Sequence, residues 1–393
     1  MNPALSRFID CARWIAASMV LLHHAHGAFV NQGDIMTAPH AAPVYVWWFI
    51  TAYPFAHGAV VVFFVLSGYL VGGALFERAR DGKAYLRNYL IDRTSRIYVV
   101  LVPTILLVFL LDATGRRLFA GLHVYDQPFY DGVFNPTYIL TTLVSLQGIW
   151  FPTYGTDVAL WSLGMEYWYY IVFALLASPF SRAYGGALRW TGLAIGLAAL
   201  VALSIPGSYF LFGACVWALG AAIRFAPGPL LRSKWIALLL WLAVVSILRL
   251  VTRGAVIEDH PRKETIDAIN ALLFANLLLT LRFDAGEGFA WCRARFHSVF
   301  ADFSYTLYAV HMSILVFIWG ISARLFGPDW RQMLATPFHY AWAIGSIVLV
   351  AVIAFLLSRV TERRTGDVRS LLRRLAPGGD PAPARAATAV KQR

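Results

Sequence analysis

A succession of apolar runs constrains this chain more than any other feature. A helix needs about 20 largely apolar residues to cross the hydrocarbon of a bilayer. Ten runs qualify, at roughly 8–30, 57–76, 97–112, 158–178, 189–204, 208–224, 234–251, 266–281, 302–323 and 338–358. An eleventh, PTYILTTLVSLQGIWF at 136–151, is short and bounded by Pro136 and Pro152. It reads as interfacial or re-entrant, because irregular backbone survives at membrane depth only against protein or a wet cavity. Only 14% of residues are charged and 59% are hydrophobic, whereas soluble domains sit near one quarter charged. The expected fold class is therefore all-α: a polytopic integral membrane protein with about ten transmembrane helices.

The net charge of +12 would suit a nucleic-acid partner, but in so apolar a chain basic residues mark cytoplasmic loops instead. With the N-terminus inside and 136–151 not crossing, 24 of the 33 Lys and Arg fall in inner segments and 7 in outer loops. Counting 136–151 as a crossing inverts everything after it and spoils this asymmetry. Both termini are expected in the cytoplasm. Asp10, Arg13 and two core histidines argue against a cleaved signal in the first run. Cys11, Cys215 and Cys292 lie far apart with no metal or redox spacing. We divide the chain into a transmembrane domain, 1–365, and a basic cytoplasmic tail, 366–393. The tail's Pro/Ala/Gly-rich end from 376 predicts disorder near anionic headgroups.

The first run, DCARWIAASMVLLHHAHG, carries an aspartate, an arginine and three histidines. Arg13 and His24 are 11 residues apart, so at 100° per residue they differ by about 20° around the helix and stand about 16 Å apart along it. Asp10, three residues before Arg13, is the candidate ion-pair partner. A charged stripe in a membrane helix faces a cavity or a partner, and a buried structural cluster fits the spacing too. His23 and His26 point away from His24, and no carboxylate completes a set, so no metal site is expected.

Elsewhere, Arg93 and Arg96 sit on adjacent turns at the inner mouth of the third helix. Two guanidiniums there suit a nucleotide phosphate or anchor the helix at the headgroups; spacing does not choose. Ser67 and Gly68, in VFFVLSGYL, allow close helix packing or line a narrow ligand channel. Glu166, in ALWSLGMEYWYY, lies about two turns in from the outer surface, where a carboxylate must be paired, protonated or facing water. His311 sits near mid-membrane in FSYTLYAVHMSIL, either satisfied structurally or functional. The outer loop 113–157 is long enough to suggest function. With Tyr154 among its aromatics, and Trp161 just beyond it, this region offers faces for a sugar ring, although interfacial belts are equally rich in Tyr and Trp.

Taken together, these motifs resemble membrane-bound acyltransferase family 3, bacterial O-acyltransferases that decorate sugars, over roughly residues 5–365. The resemblance rests on Arg13 with His24, FFVLSGYL, Arg93-Thr-Ser-Arg96, WSLGME ending at Glu166, SYTLYAVH ending at His311, and Glu362 after the last helix. It implies a multi-pass protein of the bacterial inner membrane that takes an acyl-CoA donor, usually acetyl-CoA, from the cytoplasm. The acceptor would be a hydroxyl of an extracytoplasmic glycan, polysaccharide or glycolipid. His24 would act as general base or acyl carrier, with Arg13, Glu166 and Asp10 as further catalytic candidates. Arg93, Arg96, Ser67 and Gly68 would bind the donor, and Trp161, His311 and Tyr154 the acceptor. No metal is implied, and a separate protein partner for final transfer stays open. The His-x4-Asp motif of soluble-type glycerolipid acyltransferases is absent. A transporter or flippase for a lipid-linked glycan is the rival reading, since intramembrane charges also mark substrate pathways.

Overall fold

The computed structural model describes residues 2–30, 39–207, 209–251, 263–332 and 335–376. The chain is 78% helical, and no strand occurs among the described residues. In order, the helices are α1 (Pro3–Phe29), α2 (Ala42–Ile50), α3 (Tyr53–Ser67), α4 (Gly73–Arg80), α5 (Leu86–Leu118), α6 (Thr137–Leu143) and α7 (Trp161–Leu176). They continue with α8 (Gly186–Ser204), α9 (Phe210–Ala222), α10 (Lys234–Val251), α11 (Lys263–Arg282), α12 (Phe296–Phe326), α13 (Pro337–Ser358) and α14 (Thr365–Leu375). Each of the ten expected runs falls on a helix. Among the described residues, eight helical stretches are long and apolar enough to cross a membrane, which makes this an all-α polytopic membrane protein.

α1 is not among those eight stretches, because its ionisable residues lower its apolarity. Its 27 residues still rise about 40 Å. A polar helix at this depth must be wrapped by protein, and α1 packs against α3, α11, α12 and α13. Helices with long apolar stretches meet no such penalty in lipid and take the periphery: only 17% of the apolar stretch is buried in each of α8 and α10. α6 spans seven residues, about 10 Å, far too short to cross. The chain after it folds back, with Ser145 at φ 59°, and packs on the start of α7: Gln147 Nε2 donates to the Leu160 carbonyl at 3.2 Å.

Between α3 and α4 the helix widens into a π-turn, Gly68–Gly72, a device frequent at functional sites. A Cβ on Gly68 would strike the Trp217 carbonyl of α9, and one on Gly220 would strike the Val65 carbonyl of α3. Gly68 is therefore a packing residue that brings two backbones together. Gly68→Val should destabilise the fold by at least the 1–3 kcal/mol typical of overpacking, seen as a lowered thermal midpoint in detergent, whereas Gly121→Ala meets no neighbour and acts only through its positive φ.

The tail also departs from expectation. Residues 365–375 form α14, packed on α5, with Arg369 and Arg373 paired to Asp92 at 3.0 and 3.1 Å. Residues 377–393, the bulk of the expected disordered end, lie outside the described residues.

Candidate active site

Two cavities follow one another along α1 and α12. The first, about 350 Å³, is lined by Arg13 of α1, Ser67, Arg93 and Arg96 of α5, Glu166 of α7 and Tyr308 of α12, with Arg369 of α14 at its rim. Five residues from distant parts of the sequence reading thus meet in one space. The arginines cluster because α5 begins there and α14 folds back onto it. Arg93 lies over the rings of Tyr89 and Tyr170, at 5.8 and 6.0 Å, and its Nε has no acceptor in the protein. Cation–π support of this kind orients a guanidinium without using up its donors. Arg369 is not among the residues to which the sequence points. Its signal was the basic periodicity of 369–374, hidden by assigning that stretch to a tail.

Glu166 Oε1 accepts from Tyr170 Oη at 2.5 Å. Tyr170 Oη in turn lies 3.3 Å from Ser67 Oγ, which accepts from Trp217 Nε1 at 3.1 Å. Glu166, expected about two turns in from the outer surface, lines the arginine cavity. Arg13 lies in the electrostatic reach of Arg96, Glu362, Asp10 and Asp302. No Asp10–Arg13 ion pair is formed among the described residues, which corrects the expected partnership. α1 runs unbroken from Arg13 to His24, so the two do not meet.

The second cavity, about 370 Å³, is lined by His23, His24, Tyr130, Met312, Trp319 and Arg331, among others. His24 Nδ1 lies 2.8 Å from His311 Nε2, with the rings stacked at 5.0 Å. His311 Nδ1 lies 2.7 Å from the Tyr308 carbonyl. A carbonyl only accepts, so His311 carries its proton on Nδ1. Its Nε2 is then a lone pair, and His24 must donate from Nδ1. The chain of bonds fixes the His24 tautomer and leaves Nε2 bare for a ligand. The bond made by one ring nitrogen sets which of the two is available for chemistry. His311 is fully buried, with its Nε2 turned to His24.

The remaining histidines of α1 have other partners. His23 Nδ1 is 2.8 Å from the Thr51 carbonyl, and His26 Nδ1 accepts from Trp47 Nε1 at 2.8 Å. Among the described residues no group of three or more His, Cys, Asp or Glu is placed to hold a metal ion. Trp161 packs against His57, Phe64 and Tyr209. Tyr154 is buried beside the anchor that Thr156 makes on Asp112, its N and Oγ1 donating to the carboxylate at 2.9 and 2.8 Å. A buried pair absent from the sequence reading, His57 Nε2 to Asp267 Oδ2 at 2.9 Å, joins α3 to α11, with Tyr209 Oη donating to the same carboxylate at 2.7 Å.

A guanidinium-lined cavity is thus followed by an imidazole of fixed tautomer in a multi-pass helical bundle. Residues 6–357 match the family model described as an acyltransferase domain. The chain belongs to membrane acyltransferase family 3. No curated protein and no solved structure matches it.

Proposed function

We propose that the protein transfers an acyl group, acetyl by preference, from cytoplasmic acyl-CoA to a hydroxyl of an extracytoplasmic glycan, polysaccharide or glycolipid in the bacterial inner membrane. The observation that carries the reading is the bare Nε2 of His24, one turn of α12 beyond a cavity lined by Arg13, Arg93, Arg96 and Arg369. The arginines bind the phosphates of CoA. The pantetheine arm lies past Ser67, with the Glu166–Tyr170 pair available to its amides. Arg13 belongs with this donor side, where its guanidinium adds to the positive charge that holds the donor's phosphates.

In the reaction, His24 Nε2 takes the proton of the acceptor hydroxyl as its oxygen attacks the thioester carbon. The C–S bond breaks, and the sulfur leaves with the proton returned by His24. Nδ1–H stays on His311 throughout, so the imidazolium is held in place. The products are the glycan ester and CoA–SH. The arginine-rich ends of α5 and α14 lie at the cytoplasmic face in this reading, and both termini with them.

The test is transfer in nanodiscs by the purified full-length protein, with [14C]acetyl-CoA and alkali-de-esterified envelope glycan of the producing cell. Radioactivity in the glycan together with stoichiometric CoA release is expected. Absence of both, with the donor still bound, would overturn the glycan acceptor.

A further inference from the structure

We propose that a cleft in the loop between α5 and α6 is a binding site for a saccharide chain, a subsite that delivers the acceptor to His24. This rests on the acyltransferase reading and adds where and how the acceptor is held. The cleft measures about 790 Å³, at the large end of ligand pockets and roomier than one sugar ring needs. It shares Tyr130 with the His24 cavity, so the two spaces adjoin through one side chain.

Its lining alternates aromatic faces with short polar groups: Phe119, Tyr125 and Phe134 against Asp126, Asp131 and Asn135. A pyranose presents an apolar C–H face and a rim of hydroxyls that both donate and accept. Rings answer the first, while carboxylates and amides answer the second. Arg116 stacks over Phe134 at 4.4 Å, which holds that ring in place. The two carboxylates outnumber this one guanidinium, which disfavours a phosphate-rich ligand. A peptide strand is disfavoured as well, since the cleft has no exposed sheet edge to extend.

The cleft is built rather than incidental. Gly155 N donates to the Val133 carbonyl at 3.0 Å, and the next residue, Thr156, is clamped on Asp112. Tyr125 packs against Gly115 of α5, where a Cβ would strike its hydroxyl. Tyr130 is 2% exposed, yet its hydroxyl has no partner in the protein, and neither has that of Tyr125. Buried hydroxyls are normally satisfied. The Tyr130 side chain, which borders both the cleft and the His24 cavity, therefore keeps an unused donor.

The experiment uses full-length protein in nanodiscs, [14C]acetyl-CoA and the de-esterified envelope glycan. The variant is Asp131→Ala, at an exposed position, with Asn135→Asp, which keeps the oxygen that caps Thr137 N and removes the amide donor. The apparent KM for glycan should rise about tenfold or more, the scale of one or two lost hydrogen bonds, while the KM for acetyl-CoA and the thermal midpoint stay put. An unchanged glycan KM would overturn the cleft. So would an equal rise in both KM values, since that reports general damage. Wild-type protein that binds acetyl-CoA but acetylates no glycan would remove the underlying reading, and this proposal with it.

Discussion

Replacing His24 by alanine is expected to cut acyl transfer by about 10²- to 10⁴-fold, the contribution of a positioned general base, with acetyl-CoA affinity unchanged. The separation of effects is the point. His24 lines the second cavity, whereas the arginines line the first, so the loss should fall on kcat and leave donor binding intact. His311 supplies the second arm. Its Nε2 accepts from His24 Nδ1, and removing it frees the ring to flip or change tautomer. His311→Ala should therefore lose most of the activity, while His311→Gln, whose amide oxygen accepts the same proton, should recover part of it. A purely structural role for His311 predicts that glutamine and alanine lose activity alike. Acid-quenched protein exposed to acetyl-CoA without acceptor decides between the two roles open to the imidazole. An acetyl group on the peptide containing His24 would replace the general base with an acyl carrier.

This dyad shows where the sequence stops being legible. Helical phase put Arg13 and His24 on one face of one helix, and both do line cavities. The phase of α1 says nothing of α12, and His311 lies 287 residues from His24. A lone histidine in an apolar helix does not announce its partner. The same holds for His57 with Asp267, 210 residues apart. Cys11 and Cys292 read as unrelated; both are free thiols, and they come within hydrogen-bonding reach.

The surroundings of Glu166 were hidden for another reason. Its depth was counted from the apparent outer end of its apolar run, as though that end lay at the membrane surface. In the fold the turn after α6 covers that end: a Cβ on Gly148 would strike Trp161, and one on Gly164 would crowd Gln147. The first turns of α7 therefore lie beneath protein, and Glu166 faces the arginine cavity. What was readable followed from period and composition: the all-α class, the helix positions, and the non-crossing segment around α6. Illegible were the contacts made by chain reversal, including α14 folding Arg369 to the cavity rim.

Arg93→Ala combined with Arg96→Ala is expected to raise the KM for acetyl-CoA by about 10²-fold or more, with kcat changed little. Each charge-assisted hydrogen bond to a phosphate contributes about 1.5–3 kcal/mol, and each 1.4 kcal/mol is tenfold in affinity. Neither guanidinium reaches the His24 cavity, so the loss belongs to binding. Arg369 should behave as a weaker third member, because in the free protein it is paired with Asp92, and a phosphate must compete with that carboxylate. Asp92→Asn should accordingly lower the donor KM, an improvement that headgroup anchoring alone does not predict. The affinity of the wild-type protein should also fall as salt rises, since this rim is open to screening. Acetyl-dephospho-CoA, which lacks the 3′-phosphate, turns the experiment into a double-mutant cycle. If Arg96 or Arg369 reads that phosphate, the truncated donor is penalised in the wild-type protein but not in the corresponding alanine variant. Equal penalties in all variants would assign these arginines to the diphosphate. A KM untouched by all three substitutions would return them to the headgroups.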